Sequence, residues 1–245
     1  MPEMNLDVLL TPGDVSPGEI AERTVVVLDV LRASTSIVEA LASGARTLYP
    51  VATIEEAIRL ANTLGREEVL LAGERKALPI EGFDLGNSPT EFTRKRVGGK
   101  TIVMSTTNGT LALTAAGGGS RVVVGAWTNF RVVVEDLVRS GAAPVFLCAG
   151  RDRAFGLEDA VCAGQMAAAV MAALPDVQWE LNDGAVAALA LAREFPDPAK
   201  LFPTTAAGRA IVEAGLGADL AFCARRDTRK VLPVLQDRQI TLQES

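Results

Sequence analysis

The sequence predicts an α/β fold, a layered α/β/α arrangement with a mostly parallel or mixed sheet. Short runs of apolar and β-branched residues alternate with segments of helical period, and this alternation favours parallel strands joined by crossover helices. The clearest strand covers residues 24–28, where an unbroken run is typical of a strand covered on both faces. Because no low-complexity linker divides the chain, we expect a single domain over residues 1–245. Two similar halves, 1–120 and 121–245, are an arrangement that this pattern permits.

The predicted strands are short apolar runs that end at glycine, proline or polar clusters. In chain order they cover residues 5–10, 24–28, 46–51, 68–72, 101–104, 122–126, 144–149 and 231–235.

The predicted helices follow from helical periodicity and from capping residues. A capping box at residues 53–56 opens one helix, and Ser88 followed by Pro89 starts a short one. One of Ser34, Thr35 and Ser36 is expected to cap the helix after the second strand. If Ser36 is the cap, Glu39 stands three residues later, as a capping box requires. The helices cover residues 37–43, 53–64, a short segment from 89, a segment after 110, 128–139, an alanine-rich segment ending at 173, 182–194 and 204–215.

Composition restricts the function to small-molecule chemistry. Aromatic residues make up 4% of the chain and the net charge is -6, so stacking on bases and binding to polyphosphate are both disfavoured. No apolar run is long enough to span a membrane, and three scattered cysteines in apolar surroundings predict a reduced, cytoplasmic protein. The chain contains no histidine, which excludes Ser-His triads, phosphohistidine intermediates and imidazole zinc sites.

Acidic residues cluster at or just after the predicted strand ends. In an open α/β sheet these ends face the ligand crevice, and oxygen ligands without imidazole select Mg²⁺ or Mn²⁺. Each carboxylate could instead cap a helix or pair with a base. We favour that structural role for Asp84 and Asp159 but a metal-binding role for Asp29 and Glu74; Glu158 completes the set.

Arginines and a hydroxyl-rich turn accompany these acids and predict an anion site. Guanidinium groups bind phosphate or sulfonate with two hydrogen bonds, although Arg32, Arg75 and Arg151 could also pair with the nearby carboxylates. For Arg32 and Arg151 the two roles are equally favoured. Residues 105–110 (STTNGT) lie between a strand and a helix, where backbone amides can hold an anion.

Other phosphatase chemistries fit the spacing less well. Cys148 and Arg153 are one residue too close for a cysteine phosphatase loop, which favours a buried, inert thiol. Asp29 lacks the second aspartate of an Asp-x-Asp nucleophile, so it serves better as a metal ligand.

Taken together, these segments resemble the 2-phosphosulfolactate phosphatase family over nearly the whole chain. The resemblance runs through residues 27–35 (VLDVLRAST), 73–75 (GER), 81–89 (EGFDLGNSP), 105–110 (STTNGT), 148–151 (CAGR) and 157–159 (LED). It implies a Mg²⁺-dependent enzyme with an α/β fold of its own that removes phosphate from (R)-2-phospho-3-sulfolactate on the coenzyme M route. Residues 76–79 depart from the glycine-rich turn that we expect after Gly-Glu-Arg.

On this hypothesis Asp29 and Glu74 bind Mg²⁺, and Glu158 orients the attacking water. Arg32 and Arg151 clamp the acidic groups of a small phosphomonoester. The remaining substrate-binding candidates are Ser34, Arg75, Thr106, Thr107, Asn108 and Gly109.

Three alternatives stay open. Asp29 could form a covalent aspartyl intermediate, the substrate could be another small acidic phosphomonoester, or the chain could be a noncatalytic anion-binding module. The apolar character of residues 160–192 also permits a homodimer.

Overall fold

The computed structural model describes residues 2–243, which form eleven strands and eleven α-helices around one mixed sheet, as the alternating pattern predicts. The strands are β1 (Glu3–Leu9), β2 (Thr24–Leu28), β3 (Thr47–Pro50), β4 (Val69–Arg75), β5 (Leu78–Pro79), β6 (Thr101–Ser105), β7 (Arg121–Gly125), β8 (Pro144–Cys148), β9 (Gln178–Leu181), β10 (Pro233–Gln236) and β11 (Gln239–Leu242). The helices are α1 (Pro17–Ile20), α2 (Ala33–Ala42), α3 (Ile54–Leu64), α4 (Arg94–Val97), α5 (Gly109–Ala116), α6 (Phe130–Ser140), α7 (Leu157–Ala173), α8 (Asp183–Glu194), α9 (Pro198–Leu201), α10 (Ala206–Glu213) and α11 (Ala218–Cys223). None of the helices in residues 2–243 combines the length and the apolar character that a membrane span requires.

The sheet consists of two parallel groups with an antiparallel hairpin between them. Its strand order is β5-β4-β6-β3-β11-β10-β7-β2-β8-β1-β9. Strands β4, β6 and β3 are mutually parallel, as are β7, β2, β8, β1 and β9. The β10–β11 hairpin pairs antiparallel with β7 on one side and with β3 on the other. Three successive antiparallel pairings, β7–β10, β10–β11 and β11–β3, make the two parallel groups run in opposite directions.

Strand β2 shows how the sheet is covered on both faces. Val26 and Leu28 belong to a core that includes apolar residues of α6 and α7. Val25 and Val27 point the other way, into a core with apolar residues of α2 and α5. The alternation follows the two-residue period of a strand, and it explains why the run at residues 24–28 is apolar or β-branched at every position.

The start of α2 differs from the capping box that the sequence predicts. The helix begins at Ala33, so Ser36 lies inside it and donates from Oγ to the Asn87 carbonyl, 2.8 Å away. Glu39 makes an ion pair with Arg229 at 2.7 Å and caps nothing. The box predicted at residues 53–56 is confirmed in part, because Thr53 Oγ1 accepts from the Glu56 amide at 3.1 Å.

Residues 73–88, which lie between the strand predicted at 68–72 and the short helix predicted from 89, are only partly a loop. Strand β4 continues to Arg75 and turns directly into β5, so the first part is a hairpin. The remainder returns alongside β4, where the Asp84 and Leu85 amides donate to the Leu71 carbonyl at 2.9 and 3.0 Å. Asp84 also binds Arg66 at 2.9 Å, as the structural interpretation of this residue predicts.

Candidate active site

A cavity of about 490 Å³ lies where the chain leaves β2, β4 and β6, and it is walled on one side by α10. Its wall mixes both signs of charge, which suits an anionic ligand that also requires a cation. The acids in the wall are Asp29, Glu74, Asp152 and Glu213, and the bases are Arg32, Lys76 and Arg151.

Asp29 is the first residue after β2 and sits between the N-termini of two helices. Its side chain is 7% exposed, and Oδ1 accepts from the Ala33 amide at 3.1 Å in the first turn of α2. Its Oδ2 lies against the first residue of α5, since a Cβ atom on Gly109 would fall 2.7 Å from that oxygen. The fold therefore places this carboxylate beside the Ser-Thr-Thr-Asn-Gly turn, although the two segments are far apart in sequence.

Glu74 connects two turns through its two carboxylate oxygens. Oε1 accepts from the Thr107 amide at 2.7 Å, and Oε2 accepts from the Ala77 amide at 2.9 Å. Glu74 is 8% exposed and lines the cavity together with Asp29. Both predicted metal ligands thus reach the same cavity.

Burial dominates the electrostatics of Asp29. It raises the pKa of the Asp29 carboxyl to about 7, and the neighbouring Glu74 and Glu158 carboxylates push in the same direction. The Ala33 amide and Arg32 oppose the shift. A cluster of acids whose ionised forms repel one another is the electrostatic environment that a bound cation relieves.

Arg32 is held in the cavity wall by two direct contacts. Its Nη1 lies 2.6 Å from Asp219 Oδ2, and its Nη2 donates to the Ala77 carbonyl at 2.8 Å. Ser88 Oγ donates to the other oxygen of Asp219 at 2.6 Å. Because a guanidinium has five N–H donors and these contacts use two, Arg32 retains donors for a ligand.

Arg151 and Asn108 form the opposite part of the wall. Arg151 Nη1 donates to the Ala206 carbonyl at 2.5 Å, and its Nε is 3.5 Å from Asp152. Asn108 Oδ1 accepts from the Asp152 amide at 3.0 Å, which joins the turn before α5 to the turn after β8. Both residues line the cavity, and their contact with substrate stays a prediction.

Several predicted site residues serve the framework and do not line the cavity. Ser34 Oγ accepts from the Asp29 amide at 2.8 Å, and Thr106 Oγ1 accepts from the Thr110 amide at 3.1 Å. Arg75 binds the carbonyl and hydroxyl of Ser105 at 3.1 and 2.8 Å. These contacts engage all three side chains in the framework, and none of the three belongs to the cavity lining.

Gly109 and the acids of α7 are likewise outside the lining. Gly109 is buried against Asp29, and the absence of a side chain leaves room for the Asp29 carboxylate. Gly109 does not line the cavity. Glu158 is 4% exposed, and burial raises its pKa. Asp159 accepts from the Val30 and Gly150 amides at 2.9 and 3.0 Å, so it joins the ends of β2 and β8, the structural role that the sequence favours for it.

Two buried polar atoms at the cavity have no partner within residues 2–243. They are Asn87 Oδ1, on a residue 5% exposed, and Thr107 Oγ1. Both residues line the cavity. Because a buried carbonyl oxygen without a donor is costly, a water molecule, a ligand atom or a cation is the expected partner of Asn87 Oδ1.

The donor set fits a hard divalent cation that shares its coordination with water and substrate. Within the described residues no three Asp, Glu, Cys or His side chains come together as a complete metal site. Mg²⁺ typically takes one or two carboxylates and keeps waters or substrate phosphate oxygens as its other ligands. Asp29, Glu74 and the unpartnered Asn87 Oδ1 meet that requirement.

Thiol chemistry is not available at this site. Cys148 is completely buried, and burial raises the pKa of its thiol well above the usual value. Burial does the same for Cys162 and raises the pKa of Cys223 to about 12. The buried, inert thiol that the sequence predicts at Cys148 is confirmed.

Three residues at or next to the cavity are not among the site residues that the sequence predicts. Asp219 gives no local signal, since an acid in the first turn of α11 is normally a helix-capping charge. Asn87 has the usual appearance of a turn residue beside glycine. Lys76 stands in the segment that departs from the expected glycine-rich turn, and this departure is the signal that could have drawn attention to it.

Comparison with known proteins gives a consistent result. The family model described as 2-phosphosulpholactate phosphatase matches residues 9–238. A probable 2-phosphosulfolactate phosphatase of Symbiobacterium thermophilum is 41% identical over 227 residues, covering 92% of this chain and 97% of the relative. Proteins of the same name from Carboxydothermus hydrogenoformans and Clostridium beijerinckii are 36% and 32% identical, and each alignment covers at least 97% of both chains.

Proposed function

The chain belongs to the 2-phosphosulfolactate phosphatase family, and from this premise we propose that it hydrolyses (R)-2-phospho-3-sulfolactate to 3-sulfolactate and phosphate. It is a phosphoric monoester hydrolase. The observation that carries the proposal is the convergence of Asp29, Glu74 and the Thr107–Asn108 turn on one cavity that also holds three cationic side chains.

The proposed substrate matches the mixed charge of this cavity. It carries a phosphate, a carboxylate and a sulfonate, all of them acceptors at neutral pH. Arg32 and Arg151 supply guanidinium donors for such groups. The turn before α5 supplies the unpartnered Thr107 hydroxyl and a helix N-terminus for the phosphate.

The proposal includes Mg²⁺ as cofactor, held by Asp29 and Glu74 with Asn87 Oδ1 as a neutral ligand. When bound, the ion would neutralise phosphoryl oxygens and favour ionisation of the attacking water. Glu74 would also orient the Thr107 amide through the bond to its Oε1. Glu158 would act indirectly, because its charge raises the pKa of Asp29 while its side chain stays outside the cavity wall.

In the reaction, water adds to phosphorus as the bond to the ester oxygen breaks, and the leaving alkoxide takes up a proton. Arg32 would hold the substrate while Asp219 keeps the guanidinium in place. A covalent aspartyl intermediate at Asp29 is the alternative route, which trapping with fluoroberyllate or borohydride would distinguish.

We also propose a cytoplasmic location and a role in coenzyme M synthesis. The three cysteines are free and buried, which agrees with a reducing compartment. The apolar residues of α7 and α8 that permit a homodimer are mostly packed inside the protomer, with Val186 exposed at 55%. The homodimer stays a prediction, and light scattering of the purified protein would test it.

The experiment is a phosphate-release assay on phosphosulfolactate with and without Mg²⁺, with EDTA as control. We expect metal-dependent turnover that exceeds turnover of generic phosphomonoesters. Asp29→Asn should fold and lose turnover. Binding of the substrate without phosphate release at any metal concentration would instead identify a noncatalytic anion-binding module.

A further inference from the structure

Three cations line the cavity, and two of them are engaged within the protein. Arg32 is paired with Asp219, and Arg151 contacts Asp152 and the Ala206 carbonyl. Lys76 lines the same cavity but has no carboxylate within 4 Å among residues 2–243. Among the three cations, the Lys76 ammonium group is therefore the one that is not paired with a carboxylate within residues 2–243.

The turn that carries Lys76 is bound to the cavity from two directions. The Ala77 amide donates to Glu74 Oε2 at 2.9 Å, and the Ala77 carbonyl accepts from Arg32 Nη2 at 2.8 Å. Two residues already placed in the site thus hold the neighbouring peptide on both sides. These bonds hold the backbone of the turn, and thus the Cα atom of Lys76, next to the cavity.

The backbone of this turn is one that lysine does not favour. Lys76 and Ala77 form a two-residue hairpin loop with φ of 51° and 66°, a pattern usually supplied by Asn-Gly. Non-glycine residues seldom adopt the left-handed region, because their Cβ atom comes too close to the following carbonyl oxygen. Glycine would suit the backbone at position 76, so the turn itself does not require lysine; Asp237 and Arg238 make the same kind of turn between β10 and β11.

The depth of the cavity indicates which part of the substrate Lys76 meets. Asp29 and Glu74 are 7% and 8% exposed, so the reacting phosphate belongs at the buried end of the cavity. Lys76 is exposed at its rim. An arm that extends from the phosphate-bearing carbon toward solvent would come within its reach.

We propose that Lys76 is a specificity-determining residue that binds the sulfonate arm of the substrate. The inference rests on the proposed function and deepens it, because it explains how the site would prefer a sulfonated phosphomonoester. An exposed ammonium gives a moderate contribution that salt weakens, so the preference should be moderate and dependent on ionic strength.

The test compares two substrates that differ only in the arm, phosphosulfolactate and 2-phospholactate, whose methyl group replaces the sulfomethyl group. In Lys76→Met, kcat/KM for phosphosulfolactate should fall about three- to fivefold, mainly through KM. The value for 2-phospholactate should stay within twofold. High salt should reduce the preference of the wild-type protein and leave that of the variant unchanged.

Two further variants test whether the effect of Lys76→Met comes from the lost charge at this position. One controls for the backbone of the turn, and the other controls for the net charge of the protein. Lys76→Gly relieves the left-handed backbone, so it should lose the same preference while its melting temperature stays equal or rises. Lys95→Met removes one lysine charge on α4, away from the cavity, and should keep the preference.

The outcomes distinguish this inference from the function on which it rests. Equal losses on both substrates in Lys76→Met, or no loss on either, would overturn the role of Lys76 while phosphosulfolactate turnover by the wild-type protein stands. Absence of wild-type turnover would overturn the proposed function and the inference with it.

Discussion

Arg32 and Asp219 form a buried ion pair, with Nη1 and Oδ2 2.6 Å apart and the two side chains 2% and 3% exposed. They are 187 positions apart in sequence, so the pair ties the end of β2 to α11. Ser88 and the Ala77 carbonyl complete the network around it. Removing one charge from such a pair leaves the other buried without compensation.

Asp219→Asn should therefore destabilise the protein and impair substrate binding. We expect the free energy of unfolding in urea to fall by about 3 kcal/mol, since Arg32 would stay charged without its partner. In the folded protein kcat/KM should drop more than tenfold, because Arg32 would no longer be held toward the cavity.

Asp136→Asn is the matched control for this variant. Asp136 is also buried and pairs with Arg121 at 2.5 Å and Arg139 at 3.1 Å, but it does not line the cavity. Its loss should lower stability and spare kcat/KM when both are measured well below the unfolding transition. Similar kinetic defects in the two variants would show that Asp219 acts only through stability.

The raised pKa of Asp29 predicts a specific dependence of stability on pH. Between about pH 4 and pH 7 the folded state binds more protons at this group than the unfolded state, so its contribution to stability is lost as pH rises. Without divalent cations, Asp29→Asn should be more stable than the wild-type protein at pH 8 by about 1–2 kcal/mol. At pH 4.5 this advantage should disappear, as chemical denaturation at the two pH values would reveal.

Magnesium should reverse this comparison. A cation that binds the ionised Asp29 carboxylate stabilises the wild-type folded state by mass action, whereas the neutral amide of Asp29→Asn offers the cation a much weaker ligand. Parallel pH profiles of the two proteins, or equal stabilisation of both by Mg²⁺, would contradict the assignment of Asp29.

The sequence predicts the strands and helices whose own residues favour that structure. It does not predict those that depend on contacts with residues far away in the chain. Strand β2 and the core of β8 are buried apolar runs that identify themselves, whereas β9 and β11 are four-residue strands with polar residues whose identity depends on their partners. Ser36 has the spacing of a helix cap, but the Asp29 side chain takes the Ala33 amide and the helix starts earlier. Asp29, Glu74 and the Thr107–Asn108 turn, which lie in contiguous motifs, line the cavity as the sequence leads one to expect, whereas Asp219 is missed.

Asn87 offers a test of the metal site that does not depend on turnover. Its Oδ1 makes no bond within the described residues, so Asn87→Ala loses no protein hydrogen bond through that atom. We expect affinity for Mn²⁺, measured by electron paramagnetic resonance without substrate, to fall about tenfold. Asn87→Asp, which restores an oxygen ligand, should bind the ion at least as tightly as the wild-type protein.

Asn108→Ala is the control for the metal measurement. Asn108 lines the same cavity, but its Oδ1 is already used by the Asp152 amide. It should bind Mn²⁺ with wild-type affinity. If the two alanine variants have the same affinity, Asn87 is not a ligand.

The buried thiols predict insensitivity to alkylation. Because only the thiolate reacts and burial raises the pKa of all three cysteines, iodoacetamide should leave the native protein unmodified and active at pH 8. Mass spectrometry should detect labelling after unfolding in urea. Inactivation that parallels labelling of Cys148 would instead point to a cysteine-dependent reaction.

Substitution of Gly109 by alanine compares two opposing effects on stability: the better helix propensity of alanine, and the close contact of α5 with Asp29 and Ala33. Alanine is normally better than glycine in a helix by about 1 kcal/mol, so propensity alone predicts that Gly109→Ala stabilises α5. The added Cβ would lie 2.5 Å from the Ala33 Cβ and 2.7 Å from Asp29 Oδ2, so the carboxylate or the helix must move. We therefore expect a loss of about 1–3 kcal/mol in stability and at least a tenfold drop in kcat/KM.

Gly18→Ala is the companion variant, because nothing lies within 4 Å of a Cβ at that position in α1. It should be neutral or slightly stabilising and should keep full activity. If Gly109→Ala behaves like Gly18→Ala in both stability and turnover, the contact between α5 and Asp29 tolerates a methyl group. The position of the Asp29 carboxylate would then not depend on the close approach of that helix, and the reason we give for glycine in the Ser-Thr-Thr-Asn-Gly turn would be wrong.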